Sequence, residues 1–168
     1  MTGNNPTDRS KLGTKRHILT DAKGITLSVV ISSASTHDIK LVTDVMDNVI
    51  VKRSSSSSTK RITSRKRKLQ HLCLDKAYSS KTAKQEIISQ GYVPHLPYKR
   101  KRGEVKKETQ KMSNRKRYPA RRWVVERTNS WHNRFRKLYT RYEKKAENYL
   151  GLVQFSCCII IYRKIILG

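Results

Sequence analysis

Asp75 and Glu126 are the two residues of this chain whose type and position point to chemistry. Asp75 closes the apolar run LQHLCL at 69–74, which reads as a strand. The carboxyl end of a buried strand is where α/β sheets place ligands and catalytic groups. Glu126 lies within 120–144, ARRWVVERTNSWHNRFRKLYTRYEK, just after Pro119, a residue that can open a helix. There Val124, Thr128, Trp131, Phe135, Leu138 and Tyr142 recur at steps of three and four, the buried stripe of one amphipathic helix. At about 100° per residue, Glu126 falls opposite that stripe, on the face of Arg122, Ser130, Asn133 and Lys137. If the helix crosses the sheet, the two carboxylates converge. Carboxylate oxygens suit Mg²⁺ or Mn²⁺, and two such ions about 4 Å apart can activate a water or 3′-hydroxyl against a phosphodiester. An ordinary ion-paired solvent face would carry the same residues, so the rest of the chain has to decide.

The composition favours a phosphodiester. The 168 residues hold 38 Lys and Arg against 12 Asp and Glu, a formal net charge of +26. Charge on that scale opposes compaction and points to a polyanionic partner, nucleic acid before an anionic membrane. The cysteines, Cys73, Cys157 and Cys158, are odd in number and lack C-x-x-C spacing, and only His71 lies near one. Neither a disulfide framework nor a zinc site is expected, and a reducing cytosol is the default. His95 and His132 show no ligand spacing, and His37 before Asp38 reads as a cap or turn residue. The polar start MTGNNPTDRS is no signal peptide, and the apolar run at 149–162 falls short of the roughly 20 residues a membrane span needs.

The elements that must position the two acids follow from pattern. The basic, turn-rich leader gives no early hydrophobic element. HILT at 17–20 and ITLSVVISS at 25–33 predict a hairpin closed by a turn at Asp21–Gly24. A helix is expected over 39–51, with its face on Leu41, Val42, Val45, Met46, Val49 and Ile50. Residues 52–68, with five consecutive serines and then KRITSRKRK, and 98–119 read as basic low-complexity loops. Between them come the strand ending at Asp75, a helix over about 82–90 stopped by Gly91, and a weak edge strand at 92–96 interrupted by Pro94. A final helix over about 147–166 is apolar almost all round, as for one covered on most sides. Strands interleaved with helices argue for α/β layers with a mixed sheet. Trp131 reads as core, whereas Trp123 either stacks on a DNA base or shields the site.

LCLDKAYSS, the segment PARRWVVERTNSWHNRFRKLYTRYEKKAENYLGLVQFSCCIIIYRKI and the opening NPTDRSKLGTKRHILTDAKGITLSVVISSASTHD together resemble transposases of the insertion-sequence-five family, DDE type. The resemblance covers nearly the whole chain outside the serine-rich loop and the basic loop near 99–117. It implies a ribonuclease-H-like mixed sheet flanked by helices and two Mg²⁺ or Mn²⁺ ions held by DDE acids for DNA strand cleavage and transfer. Asp75 matches the second catalytic aspartate and Glu126 the glutamate, both as metal ligands. Arg122 and Arg127 match basic residues flanking that glutamate. Of the tyrosine-arginine-glutamate-lysine signature, Arg122 and Glu126 agree, while Pro119 and Asn133 stand at the tyrosine and lysine positions. Contacts to DNA are expected from Arg122, Arg127, Asn133, Arg134, Lys137 and Lys76.

The resemblance also implies a first catalytic aspartate on a central strand upstream of GNNPTDR. Asp8, in the leader, and Asp21, at a hairpin tip, are poor substitutes. The chain is therefore expected to be a partial catalytic domain, 1–168, lacking the first strand and completed by an upstream reading frame joined by frameshifting. Partners would be element ends, target DNA and a second copy, within the prokaryotic cytoplasm and nucleoid. The alternative is a remnant that binds DNA without chemistry.

Overall fold

The computed structural model describes residues 2–6, 9–51, 70–96 and 121–167. Two compact units emerge, one formed by Met1–Asn48 with Arg121–Gly168, the other by Val49–Ala120. The two basic loops and Asp8 lie outside the described residues.

The first unit is built on a hairpin. Strands β2 (Leu12–Thr20) and β3 (Thr26–Ser33) pair antiparallel from Thr14 opposite Ser33 to Thr20 opposite Thr26, and β1 (Gly3–Asn4) joins the outer end of β2. The hairpin is longer than its apolar residues indicate. Backbone pairing carries it back through LGTKR, so the leader does contribute a strand. The turn forms because Asp21 Oδ1 accepts from the N–H groups of Lys23 and Ile25, at 2.9 and 2.8 Å, while Gly24 takes φ +86°. An L side chain rarely adopts that conformation.

After β3, a 3-10 turn (Asp38–Leu41) is capped by His37 and leads into α1 (Val42–Asp47). The helix is shorter than the pattern over 39–51 implies. Asn48 ends it, with both its N–H and its Nδ2 on the Asp44 carbonyl. Val42 and Met46 are buried as expected, but Ile50 is exposed.

The stretch expected as one helix from 120 to 144 is two. Helix α3 (Arg122–Asn133) ends where Phe135 takes an extended conformation, and a single turn, α4 (Arg136–Tyr139), follows. The break turns Phe135 and Leu138 onto Ile31 of β3 and onto Tyr149 and Val153 of α5 (Ala146–Ile165). Packing of those side chains outweighs the helical bonds lost at the break. The stripe holds as far as Leu138, but Tyr142, beyond it, is exposed.

Among the described residues, helix α5 is buried along one side. Tyr149, Val153, Ser156, Cys157 and Ile160 are buried, while Phe155 and Tyr162 on the opposite side are exposed, so the expectation of a helix covered nearly all round fails. Among the described residues no helix is long and apolar enough to cross a membrane.

The second unit holds a parallel pair, β4 (Gln70–Cys73) and β5 (Tyr92–His95), joined by α2 (Lys81–Ser89). Ser80 Oγ caps α2 by accepting from Ala83 N at 3.0 Å, and Gly91 at φ +83° ends it. Pro94 stands opposite Leu72 and is tolerated because β5 has only β4 as a partner among the described residues. The described residues are thus a mixed α/β arrangement.

Candidate active site and DNA interface

Glu126 sits in the second turn of α3 with its carboxylate exposed, as its position opposite the buried stripe requires. Its Oε1 lies 2.9 Å from Nε of Arg122, one helical turn earlier. Asn133 is on the same exposed face and accepts a 2.6 Å hydrogen bond from Arg16 of β2. Arg134 forms the exposed cap of α3, and Lys137 is exposed on α4 rather than on a continuation of the Glu126 helix.

Arg127 is held within the protein. Its guanidinium lies 4.7 Å from the Trp123 ring centroid and 5.0 Å from that of Trp131, and its Nη2 donates to the Lys23 carbonyl at 2.7 Å. The next residue, fully buried Thr128, donates from Oγ1 to the Gly24 carbonyl at 2.9 Å and lies 3.1 Å from the Val124 carbonyl. A Cβ on Gly24 would sit 3.0 Å from Thr128 Oγ1 and 3.2 Å from Arg127 Nη2, so glycine is also what permits the close approach. The hairpin turn is thereby clasped to α3 beside Glu126.

Trp131 is half-buried and carries Lys164 Nζ 4.4 Å from its ring centroid. Trp123 is 54% exposed. It borders an open cleft of about 850 Å³ shared with Asp21, Lys23, Arg127 and Lys164. This cationic, aromatic rim can hold a phosphate or stack a base.

His132 was not singled out by the sequence, yet it is one of the most deeply buried side chains. It follows Val124 and Thr128 at steps of four, the signal that marks its face. Ser156 donates to the Val153 carbonyl at 2.6 Å and so accepts from His132 Nδ1 at 2.7 Å. That assigns the proton to Nδ1 and leaves Nε2 facing Cys157 Sγ at 3.8 Å. Burial, with Arg16 adding to it, lowers the His132 pKa to about 4, and burial pushes the Cys157 thiol up.

Asp75 lies two residues past β4, exposed, with its carbonyl accepting from Tyr78 N at 3.1 Å at the start of a 3-10 turn (Lys76–Tyr78). Lys76 is the first residue of that turn. Asp75 and Glu126 belong to different compact units. Among the described residues no three His, Cys, Asp or Glu side chains are grouped to hold a metal ion. Asp21 is engaged by its own turn, in keeping with its reading as a hairpin-tip residue.

These features, an exposed helical glutamate beside arginine and an exposed aspartate ending a strand, characterise a strongly basic α/β protein suited to a polyanion. Residues 2–161 match the transposase DDE domain family. Over 164 residues the chain is 30% identical to a Burkholderia cepacia protein described as a transposase for insertion sequence element IS402, covering 96% of this chain and 68% of that relative. The chain belongs to the DDE transposase family. No solved structure matches it.

Proposed function

We propose that the chain acts in DNA transposition as the larger part of a DDE catalytic domain. It cleaves and transfers strands at insertion-sequence ends, with Asp75 and Glu126 as two of the metal-binding acids. The observation that carries this reading is the Glu126 carboxylate on the solvent side of α3, one turn from Arg122. Membership of the family over 2–161 supports it. The fold intended is ribonuclease-H-like. β2 along 14–20 and β4 each keep one edge without a strand among the described residues, where a further strand can pair. A segment upstream of Met1 would supply that strand and the first catalytic aspartate.

Asp75 and Glu126 fit Mg²⁺ or Mn²⁺ as hard oxygen donors, and both are exposed to an incoming phosphate. When bound, such an ion polarises the scissile phosphodiester and activates the attacking water or 3′-hydroxyl. Arg122 orients the Glu126 carboxylate and adds positive charge beside the substrate. Arg134, Lys137 and Lys76 contribute to holding the DNA backbone, with Asn133 beside them, while Arg127 acts by fixing the hairpin turn against α3. The work is done on chromosomal DNA in a prokaryotic cytoplasm, with a second copy handling the other element end.

The test joins the chain to its upstream reading frame and supplies DNA bearing the element's ends with Mg²⁺ or Mn²⁺. Loss of cleavage in both Asp75→Ala and Glu126→Ala, with DNA binding retained, is expected. Cleavage that survives either substitution overturns the assignment. Binding without cleavage by the joined wild-type protein would instead favour a DNA-binding remnant.

A further inference from the structure

Arg16 of β2 reaches the side of α3 that carries Glu126. Its Nη2 donates to Asn133 Oδ1 at 2.6 Å, across 117 residues of sequence. Asn133 follows Glu126 by seven residues, two helical turns, so both stand on one exposed side of the helix. Arg16 forms no ion pair among the described residues, whereas its strand neighbour Lys15 is paired with Asp38 at 3.0 Å. The Asn133 amide orients the guanidinium but cannot neutralise it. The other amino group, Nη1, is buried without a hydrogen-bond partner, a costly condition for a charged donor.

We propose that Arg16, presented by Asn133, binds a backbone phosphate of the DNA strand lying along the Glu126 side of α3. The inference rests on that side being the DNA face of the domain. A phosphate supplies what Arg16 lacks, a countercharge and acceptor oxygens, and the forked guanidinium suits it. At 1.5 Å per residue, Asn133 is about 10 Å along the helix from Glu126, roughly three phosphate steps of one DNA strand. One phosphate group cannot bridge that distance, so Arg16 holds a phosphate beyond the one at Glu126. Its role is to fix the register of the strand. Arg122 stands one turn to the other side of Glu126, so the strand is gripped on both sides of the acid. Asn133 carries no charge of its own; the charge at its position comes from β2.

The experiment measures binding of the full chain to a labelled DNA duplex of arbitrary sequence, by fluorescence anisotropy over a salt series. Arg16→Ala should reduce the slope of log affinity against log salt by about one, and affinity at about 0.1 M salt roughly tenfold. Asn133→Asp keeps the contact but gives Arg16 a carboxylate partner. It should weaken binding as Arg16→Ala does, with thermal stability at or above that of wild type. Combining Arg16→Ala with Asn133→Lys returns a cation to the same place and should recover the slope. Lys11→Ala removes an equal charge just before β2 and should leave the slope unchanged. Circular dichroism of each variant checks folding. A wild-type slope in either Arg16→Ala or Asn133→Asp overturns the proposal, as does an equal loss in Lys11→Ala, which would make the effect one of net charge. Failure of the wild-type chain to bind the duplex would overturn the DNA reading itself, and this inference with it.

Discussion

Thr128 Oγ1 in α3 donates to the carbonyl of Gly24 at 2.9 Å, tying a helix and a hairpin turn that are 104 residues apart. Glu126 is two residues from one end of that bond. The bond is fully buried at Thr128, so neither partner can turn to water if the other is removed.

Thr128→Val keeps the shape and removes the donor, leaving the Gly24 carbonyl without this buried partner. The expected loss is about 1–3 kcal/mol of unfolding free energy by chemical denaturation. Gly24→Ala forces a side chain into the left-handed region, at about 1–2 kcal/mol, and brings its Cβ against Thr128 Oγ1 as well. Wild-type stability in either variant would show that the clasp does not hold the turn.

Glu126→Gln separates chemistry from stability. The Arg122 pair is solvent-exposed, 69% and 60% at the two side chains, so its loss should change stability by less than about 1 kcal/mol. Cleavage by the protein joined to the proposed upstream segment should nevertheless disappear. A large stability loss would recast Glu126 as structural.

His132 makes stability depend on pH. Its folded pKa, about 4, lies below the ordinary value of 6.5, so the unfolded chain binds the extra proton first as pH falls. This contribution is fully present above pH 6.5 and is lost progressively as pH drops towards 4. It amounts to roughly 3 kcal/mol at most. Urea denaturation across that window should show stability falling with acidity, and His132→Gln should flatten the slope. Some slope should remain, because burial also lowers the His17 pKa. An unchanged slope in the variant would place the titrating group elsewhere.

DNA binding should weaken steeply with salt, since each phosphate neutralised releases counterions. Replacing Arg122 or Lys137 by Ala should reduce the slope of log affinity against log salt by about one for every phosphate no longer neutralised. Arg127→Ala should act differently, lowering stability through the clasp on Lys23 and the two tryptophans. A salt slope unmoved by Arg122→Ala would remove that residue from the DNA interface.

Much of this was legible in the chain itself. The step-of-three-and-four pattern placed Val124 and Thr128 inside and Glu126 outside, because helical geometry fixes those directions before any packing. Gly24 and Gly91 marked their boundaries through positive φ, a local effect. The charge of +26 pointed to a polyanionic partner, and the blocks around Asp75 and Glu126 carried the resemblance to the family. Only tertiary structure could break the helix at Phe135, since the competing interaction is burial on Ile31 and Val153, far away in sequence. It likewise drew Arg127 into the hairpin turn, buried His132 against Ser156, and set Arg16 against Asn133. Each of those outcomes depends on interactions between distant segments, which local pattern does not encode.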